Sequence, residues 1–302
     1  MFAQGSKKSI QISKNAMGYL FVSPLIIGLG LFMAYPLLDS IRMSFFKIEL
    51  MNIRLATFIG IKNFVRMFTS TEPSFWGDTM RITVIFVGAC VALQVGIGLG
   101  LALLLNFKWL KGRIIFRNIF LLPWITAGVI CGYSWRFVYN SSTGVLNYLL
   151  SLVGIAPQAW LSNPNLVMLS IIIANIWKGT TYSVLIQTAG LQSIPDEIYE
   201  AAYTDGASPW QSLIHITLPL LAPFLFINLL TETGDTFNAF DRIYAMTRGG
   251  PLHSTEILSI YTYRQAFVHG DLGIGAAAGL FQIIIGLILA IIYLKAFRLR
   301  AY

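Results

Sequence analysis

The sequence predicts an all-α integral membrane protein, a bundle of six transmembrane helices, and three observations carry that prediction. Of the 302 residues, 56% are hydrophobic and only 11% charged, where an ordinary soluble domain carries about 25% charged residues. Six apolar runs are each long enough to cross a bilayer, which takes about 20 residues. Mean hydropathy is +0.69, and residues 1–302 read as a single transmembrane domain.

The first run extends from Gly18 to Leu38 behind Lys7, Lys8 and Lys14. It is too long for the apolar centre of a signal peptide and lacks a convincing A-x-A cleavage site, so it reads as a span. The next five runs cover roughly 80–106, 114–138, 166–190, 216–238 and 273–297. Three connections, about 46–78, 139–165 and 239–272, then share one side, and the loop of about 191–219 lies on the other. Six spans put both termini on the same side. The tightest basic cluster, Lys108, Lys111 and Arg113, leans that side towards the cytoplasm.

The net charge of +8 comes from residues placed singly or in pairs near span ends. That pattern fits contact with membrane lipid and not nucleic acid, which calls for a basic stripe interleaved with aromatics. Cys90 and Cys131 fall inside apolar runs as packing residues, far apart and without metal-site spacing. Among three histidines none clusters with cysteine or carboxylate. There is no G-x-x-x-x-G-K-[ST], H-E-x-x-H or G-x-S-x-G. No catalytic residue, metal or bound cofactor is expected in this chain.

Within the spans, Gly96 with Gly100 and Gly275 with Gly279 are small-xxx-small pairs suited to close helix approach. Polar residues at membrane depth cost about 2.5–3.5 kcal/mol each when charged. Span four nevertheless carries Asn175, Lys178 and Tyr182, with Trp177 adjacent, and span five carries Asn228, Glu232 and Asp235, with Thr231 and Asn238 nearby. Each set lies on one helical face, which should turn into the bundle or towards a water-filled path. Three readings stay open: a structural Lys178–Glu232 ion pair, Asp235 sitting simply at the outer interface, or, favoured, a translocation path lined by these groups. Aromatic faces beside planar polar groups suit a sugar, and the same inventory could serve an amino acid or polyamine.

The loop between spans four and five holds the most specific signal. Pro195 fits a helix's first turn, Asp196 and Glu197 suit its positive end, Gly206 permits its termination, and Ser208-Pro209 reads as a new start. Two short helices joined at Gly206 are expected. From Glu200 to Pro219 there is no Lys or Arg, and seven positions fit E-A-A-x3-G-x9-I-x-L-P: Glu200, Ala201, Ala202, Gly206, Ile216, Leu218 and Pro219.

That pattern resembles the cytoplasmic EAA loop of bacterial ABC-importer permeases. The resemblance extends over about residues 18–300. Gly60-Ile61-Lys62-Asn63-Phe64, Ile176-Trp177-Lys178, and Ala189-Gly190-Leu191 running to Ile194-Pro195 all match elements of the family. Met246-Thr247-Arg248-Gly249-Gly250-Pro251, followed by Thr255, Leu258, Tyr261 and Ala266-Phe267, is similar to a region of the maltose and trehalose type. Met246 departs from the usual Leu, and the chain lacks the extra spans and large insertion of the enterobacterial maltose permease.

The resemblance implies the type I importer fold and one half of a carbohydrate importer's pore in a bacterial inner membrane, with both termini cytoplasmic. It implies as partners a second homologous permease, two ATPase subunits that bind the ATP and Mg, and an extracytoplasmic sugar-binding protein. Glu200, Ala201, Ala202, Asp205 and Gly206 would then couple to the ATPase, and Gly249, Gly250 and Pro251 would meet the binding protein. Trp177, Lys178, Tyr182, Asn228, Glu232, Asp235 and Asn238 would line the substrate path. The alternatives are an ion-coupled secondary transporter, or an ABC importer of a polyol, glycerol-phosphate or polyamine.

Overall fold

A computed structural model describes residues 14–107 and 112–297. The basic residues Lys7, Lys8, Lys108, Lys111, Arg298 and Arg300 lie outside the described residues. Among the described residues, five helices are long and apolar enough to cross a membrane: Met17–Ser44, Phe75–Asn106, Pro164–Gln192, Pro209–Thr247 and Leu272–Phe297, here spans one, two, four, five and six.

The remaining crossing, span three, departs from the expected straight helix over 114–138. It consists of Asn118–Ile125 and Gly128–Val138, bent by 102°. Pro123 supplies no N–H for the turn before it, and three residues later the chain leaves helical geometry, with Thr126 at φ −67°, ψ 127°. Beyond the break, Gly132 lets the second half press against the helix Phe240–Thr247: a Cβ there would lie 3.1 Å from the Arg242 Cα.

Spans two and four form the most extensive helix pair. The close approach uses neither Gly96 nor Gly100, whose added Cβ atoms would meet nothing within 4 Å. It uses Gly98, where a Cβ would lie 3.2 Å from the Ser183 carbonyl carbon. The difference is one of helical face: two residues turn the contact by about 200°. In span six, Gly275 does pack tightly, against the Ala266 backbone at 3.1 Å, whereas Gly279 meets only a Thr262 methyl at 3.9 Å.

The three connections opposite the EAA-like loop are folded structure, not plain loops. They contain the helices Lys62–Phe68, Val145–Leu152 and Leu258–Tyr263, packed with Phe240–Thr247 at the outer end of span five, and a two-residue antiparallel pairing of Phe46 with Phe58 and Lys47 with Thr57. Their apolar residues, among them Met67, Ile243, Ile257, Leu258 and Tyr261, join Phe75, Phe86, Cys90 and Ile171 in one buried core. Asn63, fully buried, donates to Ser44 O at 2.9 Å and Phe46 O at 2.8 Å and fastens the end of span one. Thr83 accepts the Leu258 N–H at 2.9 Å and ties this cap to span two. Cys90 and Cys131 are free thiols, 0% and 1% exposed.

Candidate functional site

The EAA-like loop folds as a helix, Asp196–Thr204, whose ends are specified by sequence. Pro195 is its N-cap, extended at ψ 139°, one position earlier than expected, and Asp196 and Glu197 occupy the first turn. The helix closes with a Schellman pattern: Ala207 N–H bonds Ala202 O at 2.9 Å and Gly206 N–H bonds Tyr203 O at 3.0 Å. Gly206 sits at φ +79°, with open space where a Cβ would be.

The second short helix is a correction to the sequence reading. Ser208 and Gln211 form a capping box with Pro209 at the first helical position, and this turn continues as the foot of span five. The loop helix is braced on that foot by Tyr199 and Thr217, whose hydroxyls are 3.0 Å apart. Glu200, Ala201, Asp205 and Gly206 are exposed and Ala202 is buried. Tyr203 and Trp210 are 83% and 68% exposed on the same surface. Aromatic residues in a short polar loop were the readable signal for these two, and the sequence reading passed over them.

Four of the expected path residues do come together. Lys178, Tyr182, Glu232 and Asp235 line one cavity of about 120 Å³ with Trp124, Gly179 and Thr231. The Trp124 and Tyr182 rings are 6.1 Å apart, tilted by 32°. Lys178 is not paired with Glu232: among the described residues no ion pair within 4 Å joins them. Its ammonium instead donates to Trp124 O at 3.1 Å and Thr126 O at 2.8 Å. Those carbonyls end the first half of span three, where the helix leaves acceptors unmet and its dipole favours a cation.

Glu232 is 2% exposed, and its Oε2 has no hydrogen-bond partner among the described residues. Asp235 is held by the buried Arg242, whose Nη2 lies 2.5 Å from Oδ2 and 3.0 Å from the Asp235 carbonyl. Arg242 had been placed in an outer connection, so this pair was missed.

The other three stand apart. Asn228 is fully buried and accepts from Ser183 Oγ at 3.1 Å. Trp177, 43% exposed, packs edge-on against Trp135. Asn238 bonds Gln282 at 3.0 Å and lines a separate groove of about 370 Å³ between spans five and six. Gln94 on span two was overlooked. It donates to Asn175 O at 2.9 Å and accepts from Thr236 at 3.4 Å, joining spans two, four and five. Gly179 makes room for this arrangement, since a Cβ would fall 2.6 Å from the Gln94 Cδ and 2.7 Å from the Glu232 Oε2.

At the cap, Gly249 is buried at φ +88°, and a Cβ would press on Ile260 at 3.2 Å. Glu256, 1% exposed, is held by Arg264 at 2.6 Å and by His253. Gly250 and Pro251 line a further cavity of about 390 Å³.

Comparison with known proteins agrees with this architecture. The profile of the family described as "binding-protein-dependent transport system inner membrane component" matches residues 26–298. The chain is 37% identical over 284 residues to the trehalose/maltose transport system permease protein MalF of Thermococcus litoralis, covering 94% of each chain. A solved bacterial ABC transporter involved in import of the acidic polysaccharide alginate superposes with a TM-score of 0.80 at 26% identity, covering 94% of this chain and 96% of that one. A second, in complex with a periplasmic protein bound to an alginate pentasaccharide, gives 0.79 at 26% identity over 93% of each chain.

Proposed function

Since the chain belongs to the family of binding-protein-dependent transport system inner membrane components, we propose that it is one half of the pore of an ATP-driven carbohydrate importer. The carbohydrate reading is supported above all by the cavity that brings the Trp124 and Tyr182 rings beside Lys178, Glu232, Asp235 and Thr231. Aromatic faces take the C–H surfaces of a sugar, and the polar groups take its hydroxyls. Relatives named for trehalose, maltose and alginate transport support the same reading.

The cavity measures about 120 Å³. A sugar passes only when its walls part and a second, homologous permease supplies the opposite wall. Both termini and the 191–219 loop face the cytoplasm. Glu200, Ala201, Ala202, Asp205 and Gly206 there meet one of two separate ATPase subunits, which bind the ATP and Mg; Tyr203 and Trp210 add apolar contact. Gly249, Gly250 and Pro251 meet the binding protein at the opposite face.

The test is sugar uptake by membrane vesicles containing the assembled complex, loaded with ATP on the ATPase side and given sugar-loaded binding protein outside. Uptake should require ATP and binding protein and should survive a proton ionophore. Uptake driven by a proton gradient without ATP would overturn the proposal in favour of ion-coupled transport.

A further inference from the structure

The cavity of about 390 Å³ at the cap lies between the Gly250-Pro251 turn and the 139–162 segment. Its walls are fixed by partly buried hydrogen bonds. Asn147, 4% exposed, donates to Ser141 O at 3.1 Å and Gln158 O at 2.9 Å, and accepts from Trp160 Nε1 at 2.9 Å. On the facing wall Thr255 donates to Gly250 O at 2.9 Å and bonds Thr247 at 2.7 Å. The lining is polar, with Arg136, Asn140, Ser141 and Ser162 among its residues.

Two cations here lack a counter-charge. Arg136 lines the cavity, is exposed, and has no side-chain partner among the described residues. Arg248, outside the lining but exposed in the adjoining turn at φ +53°, likewise has no side-chain partner among the described residues. The carboxylate beside Gly249, that of Glu256, is already engaged by Arg264. Arginines at the non-cytoplasmic end of a span also run against the positive-inside bias of membrane insertion. A rigid polar cavity with one guanidinium inside and another beside it is suited to a carboxylate, which arginine can bind through two parallel hydrogen bonds.

We propose that this cavity is a socket for an acidic side chain on the surface of the binding protein, with Arg136 as its contact and Arg248 adding attraction from the turn. This rests on the reading that the cap faces the binding protein. The charges act mainly on encounter and on salt dependence, as rim charges do in other complexes.

The experiment measures ATP turnover against binding-protein concentration, with the complex in nanodiscs of zwitterionic or of anionic lipid. Arg136→Glu should raise the half-saturating concentration by about tenfold, in the range of one exposed charge contact, and keep the maximal rate. Arg136→Gln should give a smaller rise and a weaker salt dependence. Replacing one acidic residue of the binding protein by Lys should restore the affinity of Arg136→Glu. Unchanged half-saturation in both variants and both lipids overturns the proposal, as does a change seen only in anionic lipid, which assigns Arg136 to a headgroup. Wild-type turnover that ignores the binding protein would instead defeat the orientation on which the proposal rests.

Discussion

Replacing Lys178 by Met keeps the length of the side chain and removes its ammonium. The structure gives the expected size of the effect. Two hydrogen bonds are lost, to Trp124 O at 3.1 Å and Thr126 O at 2.8 Å, and a charged donor is worth about 1.5–3 kcal/mol per bond. Lys178 is only partly buried, so solvent compensates a large share, and a net loss of about 2 kcal/mol is the reasonable expectation. At roughly 2–4 °C per kcal/mol, the melting temperature of the purified complex should fall by about 4–8 °C. The loss is local: cysteines placed on the two halves of span three should report an altered distance by spin-label spectroscopy. Lys178→Arg, which keeps the cation, should restore most of both. A Lys178→Met complex that melts with the wild type and keeps the same spin-label distance would refute the assignment of Lys178 to the helix break.

Glu232→Gln should leave assembly intact, because Lys178 keeps its carbonyl partners, while sugar uptake changes; loss of the assembled complex on a native gel would contradict this. Gly98→Leu should abolish stable assembly by colliding with the Ser183 backbone, whereas Gly96→Leu, with open space around it, should express and melt near wild type. Gly206→Ala should insert normally and cost about 1–2 kcal/mol at its left-handed backbone, seen as reduced coupled transport; wild-type transport and ATPase co-purification would argue against a coupling role.

The apolar runs made the number and order of the crossings legible, because burying a backbone in lipid demands helices of a fixed minimum length. They did not reveal that the third crossing is broken, since hydropathy counts side chains and is blind to the geometry of Thr126 and Ala127. Lys178 shows a deeper limit. Its spacing from Tyr182 placed it correctly on the cavity face, yet its partners are main-chain carbonyls, which no residue pattern encodes. Arg242 was misplaced for a related reason: a polar run after an apolar one reads as a loop, whereas Arg242 lies in the helical outer end of span five and there meets Asp235. Gln94 was readable as a lone amide within an apolar run. Gly98 was less so, since Gly96, Gly98 and Gly100 differ only in which side of the helix meets span four.

The burial of both native thiols has a practical consequence for watching this protein move. Cys90 and Cys131 are shielded at 0% and 1% exposure, so water-borne maleimides should pass them by in the folded complex. A single cysteine at Tyr203 or Trp210, both on the exposed loop surface, could then carry a fluorophore in the otherwise natural chain. Arrival of the ATPase could be followed optically without first stripping out the endogenous sulfur, and unwanted labelling of Cys90 or Cys131 would itself serve as an alarm that the bundle had opened.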